Sequence, residues 1–519
     1  MRKVTFTILL LQVLFLYAQE DFTKPAVWVR ADSTQLGVEY WRDVSGNGHH
    51  FFSQPGLLPD TFARINFNRS FFLDEGEYFV LPNFPLLEGK VTVMLVYQVE
   101  DTLPENALWT VQLDTNTGFG LTTQNIACEY GNIRYTDVNK VSPVVNTLRH
   151  SWRTEYETGN IFIGRHDSIP FRGKVAECLV FKGRICDTLL VQYISYLSVK
   201  YGITLFETDY LSSARTVIWD YGNHPGYSRS IAGIGKDLAM GLEQKQSYML
   251  DGKIIVGLSS LAATNEENIA ILHQGDYLIW GFDSTLLDMY GTVYLEDGFE
   301  LEVYGNGLLQ ATGAGAPYLN TFMRVDASRW ADEHGEIEEY YLLIDRSGTG
   351  DFLPGHVEFY MPDFIDSNNM LHFSNVYWDT DNNGIDRFCF AKIPFDSLFM
   401  DSFTSNNIVV NGGGNTTRPG KPRDSRPVAK QQQAKQGTAK NSYLLYPNPN
   451  RGKFTVEIHY AEISDITIRT YSPDGKLVNS WSAQNQSSYY YEGEVSTAGH
   501  YMIDIEGGGQ RKSLKMIVQ

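Results

Sequence analysis

The sequence predicts an all-β fold, and three observations carry that expectation. Apolar and polar residues alternate over many short runs, each bounded by Gly, Pro, Asn or Asp. The 519-residue chain holds 31 Tyr and 29 Phe, ring types that suit a pleated, half-buried surface. Only one stretch, from Leu189 to Tyr201, repeats its apolar residues at helical spacing.

The length suggests roughly three or four domains, and a hydrophobic content of 43% is enough for packed cores. A net charge of −19 argues against nucleic acid as a partner. The four cysteines, Cys128, Cys178, Cys186 and Cys389, are too few for a disulfide scaffold. Their even number leaves one bond open, and buried free thiols are the favoured reading.

At the N-terminus, Arg2-Lys3 precedes an apolar run from Val4 to Leu16 and a small residue, Ala18. That is the pattern of a secretory signal peptide over residues 1–18. No Cys stands at the cleavage point to suggest a lipid anchor, and no later stretch is apolar enough to be a transmembrane segment.

From residue 24 to 205 short strands dominate. Trp41-Arg42-Asp43-Val44-Ser45-Gly46-Asn47-Gly48-His49-His50 reads as a polar loop. Val91 to Val99 is nearly continuously apolar, as in a strand buried on both faces. Trp109 to Leu113 and Ile161 to Gly164 alternate. The segment Lys174 to Phe181 precedes the helix, with Asp187 placed to cap its start and Gly202 to close its end. W-x-D-x-S-G-N-G-H at Trp41 to His49, G-N-I-F-I-G at Gly159 to Gly164 and F-x-G-K-V-A-E-C-L-V-F at Phe171 to Phe181 resemble the concanavalin A-like (laminin G-like) jelly roll. The resemblance implies two antiparallel sheets face to face, with loops as the usual binding surface.

Residues 206–410 read as a second β-rich domain, similar to an uncharacterised region that follows such jelly rolls in secreted cargo. A second sandwich is expected. Residues 411–440 carry seven Lys/Arg against one Asp and almost no large apolar residues. They read as a disordered basic linker, open to proteolysis.

Residues 443–519 form a small β-domain by pattern. Tyr446, Pro447, Asn448, Pro449 and Gly452 make an opening turn, because proline lacks a donor and Asn and Gly accept tight conformations. Ser472-Pro473-Asp474-Gly475-Lys476 is a hairpin turn. Tyr501, Ile503 and Ile505 alternate with Met502, Asp504 and Glu506. These motifs resemble the type A C-terminal sorting domain of the type IX secretion system of Bacteroidota. The resemblance implies the secretion machinery as a partner and a secreted or outer-surface location.

Motifs for chemistry are absent. There is no Glu-x-Asp-x-x-Glu strand, His-Glu-x-x-His helix, C-x-x-C pair, G-x-S-x-G elbow or phosphate loop. Glu296 to Glu300 is better explained as a solvated turn, and His49-His50 as polar surface. No catalytic residue is assigned.

Calcium is the one cofactor with a signal. Asp379, Asp381, Asn383 and Asp386 place oxygen donors at alternate positions around Gly384, although the twelfth position is Phe390. Asp345 to Asp351 repeats the idea, and Asp43, Ser45 and Asn47 are a third candidate. A D-N-N-G hairpin without an ion fits the same residues.

The expectation is a non-catalytic exported binding or adhesion protein. Its partner would be a glycan or a host or matrix protein, with Trp109 and Trp152 as candidate stacking residues. A polysaccharide hydrolase with dispersed acids and a structural surface-layer spacer remain as alternatives.

Overall fold

The computed structural model describes residues 24–518 except 36–38, 55–62, 87–88, 101–102, 114–117, 129–130, 135–141, 152–156, 250–251, 295–299, 331–339, 353–355, 393–441, 447–449 and 508–509. The signal-peptide residues, Trp152, residues 411–440, Asp297 and Pro447 to Pro449 therefore lie outside the described residues. The fold is all-β, and the chain divides into two compact units. One unit comprises residues up to 225 with 230–251 and 261–279; the other comprises 226–229, 252–260 and 280–519.

The first unit is a jelly-roll-like sandwich of antiparallel sheets. In one sheet the strands Val144–Ser151, Lys90–Val99, Gly173–Lys182, Asn68–Leu73 and Ala63–Ile65 lie in that order, with Val27–Arg30 also paired to Gly173–Lys182. The other sheet runs Gly131–Arg134, Asn125–Cys128, Gly118–Thr122, Ala107–Gln112, Thr158–Ile163, Phe79–Pro85, Phe51–Ser53 and Tyr40–Trp41. Alternation explains the core. Val91, Val93, Leu95 and Tyr97 face Trp41, Phe79, Trp109 and Ile161 from the opposite sheet in one apolar cluster.

Lys90–Val99 is buried on both faces, as its continuous apolar run predicts. Beyond its sheet lies the helix α1, Asp187–Tyr201. Gly202 ends the helix in the left-handed region at φ +66, its N–H donating to Ser198 O. The N-cap differs from expectation. Cys186 occupies it without a side-chain bond, and Asp187 is the first helical residue, paired to Arg149 Nη1 at 2.6 Å.

The helix is not the one-striped amphipath its spacing suggests. Every residue from Ser195 to Tyr201 is buried, Lys200 included. Glu177, fully buried on the adjoining strand, explains this. Its Oε1 accepts from Trp28 Nε1 (2.5 Å) and Tyr196 OH (2.7 Å). Its Oε2 accepts from Lys200 Nζ and Tyr201 OH, both at 2.8 Å. Lys200 also pairs with Asp32 at 2.7 Å. Burial works to raise the Asp32 carboxyl, but Lys200 and Arg30 outweigh it and hold the group well below the usual range. Buried charge is tolerated here because each member is bonded.

Amides tie later chain to this unit. Asn66 Nδ2 donates to Lys200 O (3.0 Å) and Ser247 Oγ (2.9 Å), and Asn68 Nδ2 donates to Lys200 O (2.7 Å) and Gln244 Oε1 (3.1 Å). These bonds explain why residues 230–251, read from sequence with the second domain, belong to the first compact unit.

In the second unit Glu300–Thr312, Ile385–Lys392, Tyr340–Asp345 and Val357–Tyr360 stand in that order, with Met289–Tyr294 paired to the first. Another sheet contains Ile254–Leu258, Thr321–Asp326, Met370–Val376 and Phe364–Ile365. The tail is a five-stranded sheet in which Ser442–Tyr446, Lys453–Tyr471, Gly499–Gly507 and Gln510–Val518 are consecutive and Leu477–Glu494 pairs with Lys453–Tyr471. The Ser472–Lys476 turn forms as expected, with Gly475 at φ +73 and its N–H donating to Ser472 O. Tyr501, Ile503 and Ile505 are buried; Asp504, expected on the polar face, is also buried, held by Arg511 and Ser513. Cys178 and Cys389 are buried free thiols, whereas Cys186 is exposed.

Candidate functional site

The outer face of the eight-stranded sheet in the first unit carries an open row of side chains. Strand alternation sends one member of each neighbouring pair inward and the other outward. Trp41, Phe51, Phe79, Ile161 and Trp109 go to the core, so Tyr40, Phe52, Val80, Phe162 and Thr110 go to the outer face. Register then aligns them. Tyr40 stands opposite Phe52, Phe52 opposite Val80, Val80 opposite Phe162, Phe162 opposite Thr110, and Thr110 opposite Gly120. Three strand spacings separate Tyr40 from Phe162, roughly 14 Å of continuous surface.

Tyr78 packs edge-on to Phe162 at 5.8 Å, and the Arg165 guanidinium lies 4.9 Å from the Tyr78 ring and 5.5 Å from that of Phe162. At the other end Tyr40 meets Phe52 at 6.4 Å and His50 at 4.8 Å. Phe52 is 45% exposed and the most open ring of the row. The row closes at Gly120, where His166 Nδ1 lies 2.8 Å from Thr110 Oγ1. A Cβ on Gly120 would stand 2.8 Å from Trp109 O and 3.0 Å from His166 Nδ1, so only glycine leaves room. The result is a shallow aromatic shelf with a cation on one rim and a stop at one end. Such a surface can stack planar or ring-shaped ligand faces.

Of the stacking residues proposed from sequence, only Trp109 is described. Trp109 is fully buried in the core, and Trp152 lies outside the described residues. The shelf was missed because its members come from strands far apart in the chain. The signal available was the set of doublets Tyr40-Trp41, Phe51-Phe52 and Phe79-Val80, each supplying one residue to each face.

The oxygen-rich loops are tied by their own hydrogen bonds, although Asp351 Oδ1 and Asp386 Oδ1 are buried without a hydrogen-bond partner among the described residues. Asp43 Oδ1 accepts from Trp28 N and Ser45 N, both at 2.9 Å, and Oδ2 accepts from Ser45 Oγ (2.8 Å) and His49 N (2.9 Å). Asn47 Nδ2 donates to Ala26 O at 3.0 Å. Asp345 accepts from Ser347 N, Ser347 Oγ and Gly350 N.

Asp379 Oδ1 accepts from Gly384 N at 2.6 Å, and Asp386 Oδ2 from Asp379 N at 2.6 Å. Asn383 bridges Arg346 O and Asp381 Oδ2. The cation beside this loop is Arg346. Its Nη1 donates to Asp386 at 2.7 Å, and its Nη2 donates to Tyr377 O at 2.8 Å and to Glu358. Burial nevertheless pushes the Asp386 carboxyl up to about 7, against the pull of Arg346, and burial also raises Asp379. Among the described residues no three His, Cys, Asp or Glu side chains converge as a metal-binding group.

In the tail, Gly452 sits at φ +96 with its N–H on Asn450 Oδ1 at 2.8 Å, and a Cβ there would lie 2.3 Å from Val495 O. Tyr446 pairs with Thr455 through the backbone. The opening turn is therefore built on Gly452 and Asn450 at its described end.

Residues 190–383 match the family described as a domain of unknown function, DUF8202, and residues 444–519 match the secretion system C-terminal sorting domain. The chain is thus cargo of the type IX secretion system, directed to the cell surface or beyond. No helix among the described residues is long and apolar enough to cross a membrane.

Solved structures similar to parts of the chain include domain 4 of AbnA, a GH43 extracellular arabinanase from Geobacillus stearothermophilus, in complex with arabinotriose. It is 13% identical, covering 32% of this chain and 96% of that one, with a TM-score of 0.24. A cycloisomaltooligosaccharide glucanotransferase from Paenibacillus sp., complexed with cycloisomaltoheptaose, is 8% identical over 71% of this chain and 46% of that one, with a TM-score of 0.17. Dimeric latent PorU from Porphyromonas gingivalis is 11% identical over 89% of this chain and 33% of that one, with a TM-score of 0.14. A comparison with curated proteins finds no match.

Proposed function

We propose that this exported chain is a non-catalytic binding or adhesion protein whose first unit, read as a concanavalin A-like sandwich, holds a glycan along its outer aromatic shelf. The observation that carries the reading is the open row Tyr40, Phe52, Val80 and Phe162, flanked by Tyr78 and Arg165. A row of this length suits an oligomeric ligand better than a single small one. The non-catalytic part rests on what the buried carboxylates do. Asp43 fixes a loop, Glu177 docks α1, Asp345 closes a turn, and Asp386 pairs with Arg346.

Calcium has no part in this reading. Asp379 Oδ1 and Asp386 Oδ2 accept from backbone N–H groups, Asn383 Nδ2 donates to Arg346 O, and Arg346 pairs with Asp386, supplying positive charge where a divalent ion would bring it. The test is glycan-array screening of the full chain, followed by titration of the best oligosaccharide against Phe52→Ala and Phe162→Ala. Each loss of a stacking ring should weaken binding about tenfold, roughly 1.4 kcal/mol, while the thermal midpoint holds. Unchanged affinity in both variants, or release of new reducing ends from the glycan, would overturn the reading.

A further inference from the structure

The sheet of the second unit ends on the strand Val357–Tyr360, which among the described residues pairs with Tyr340–Asp345 on one side only. An outer strand carrying Phe359 and Tyr360 is a template for unwanted pairing unless something shields it. The tail lies against it. Met502, like Phe359 and Met361, packs against the buried apolar cluster that includes Leu343 and Val357. The His500 ring stands edge-on to Tyr360 at 5.6 Å and 90°. Lys515 Nζ pairs with Asp363 Oδ1 at 2.9 Å. Gly475 completes the fit, since a Cβ there would come within 2.7 Å of the Phe359 ring.

We propose that the sorting domain, residues 443–519, docks as an intramolecular cover on the outer edge of this sheet and does not swing free on its linker. Three different kinds of contact converge on this strand and the residues just after it: apolar packing, an aromatic edge on Tyr360 and an ion pair to Asp363. Gly475 belongs to the hairpin turn that the sorting-domain pattern requires. Here its missing side chain also makes space for a ring of another region.

The experiment uses the full chain, cut by limited trypsin treatment in the Lys/Arg-rich 411–440 segment and then run on a size-exclusion column. The expected result is co-elution of the 443–519 fragment with the remainder. Lys515→Glu or Met502→Lys should release it, and the exchanged pair Asp363→Lys with Lys515→Asp should restore co-elution, which shows that the variants fold. Separation of the wild-type fragments would overturn the proposal, as would co-elution that Lys515→Glu and Met502→Lys both leave intact.

Discussion

Replacing Glu177 by Leu should destabilise the first unit severely. The carboxylate is fully buried and accepts from four donors: Trp28 Nε1, Tyr196 OH, Lys200 Nζ and Tyr201 OH. Removing one partner of a buried ion pair costs about 3–5 kcal/mol, because the other charge stays behind. Lys200 keeps Asp32, which places the ionic part near the lower end. The indole N–H and two hydroxyls then lose their acceptor, at about 1 kcal/mol or more each. The total is about 6 kcal/mol, comparable with the whole stability of many domains. Urea denaturation of the full chain followed by tryptophan fluorescence would read it, since Trp28 sits in the network. The double variant Glu177→Leu with Lys200→Met should cost less than Glu177→Leu alone, because it removes the stranded charge as well. A loss under about 1 kcal/mol for the single variant, or a double variant that is worse, would mean that Glu177 does not hold α1 in this way.

Three further outcomes are expected. Gly452→Ala strains a left-handed residue and drives a methyl into Val495 O, so the tail should lose about 2 kcal/mol and be digested faster within 443–519. A chelator should leave the thermal midpoint of the second unit unchanged, because Arg346 serves the Asp379 loop; a drop of several degrees would put calcium back at that loop. Docking of the tail should weaken in acid. Burial, aided by Lys515 and opposed by Glu358 and Asp363, lowers His500 to about 4 while its ring faces Tyr360. A depressed value means the contribution is complete above about 6.5 and fades as pH falls from there toward 4. Co-elution of the cut fragments at pH 7.5 and 4.5 checks this, and equal retention at both would contradict it.

Local chemistry made much of the fold legible from the residues alone. The continuous apolar run of Val91 to Val99 and the alternation of Ile161 to Ile163 mark strands, Gly202 marks the end of α1, and the Ser472 to Lys476 turn needs only its own five residues. What stayed hidden depends on partners distant in the chain. Lys200 and Tyr201 sit on a polar-looking helix end until Glu177 and Asp32 are brought beside them. Asp379, Asp381, Asn383 and Asp386 have the same spacing whether they serve an ion or a hydrogen-bonded turn. Arg346, 40 residues upstream of Asp386, pairs with that carboxylate, a contact the spacing could not reveal. The aromatic shelf needs the register of six strands, which no single stretch contains.

Glycan binding on the shelf is best tested by hydrogen–deuterium exchange of the full chain with and without a glycan taken from the array. Exchange should slow in Phe79–Pro85, Thr158–Ile163 and the Arg165 segment, with the glycan recovered intact. Protection confined to other strands, or a glycan recovered as shortened products, would contradict a non-catalytic shelf.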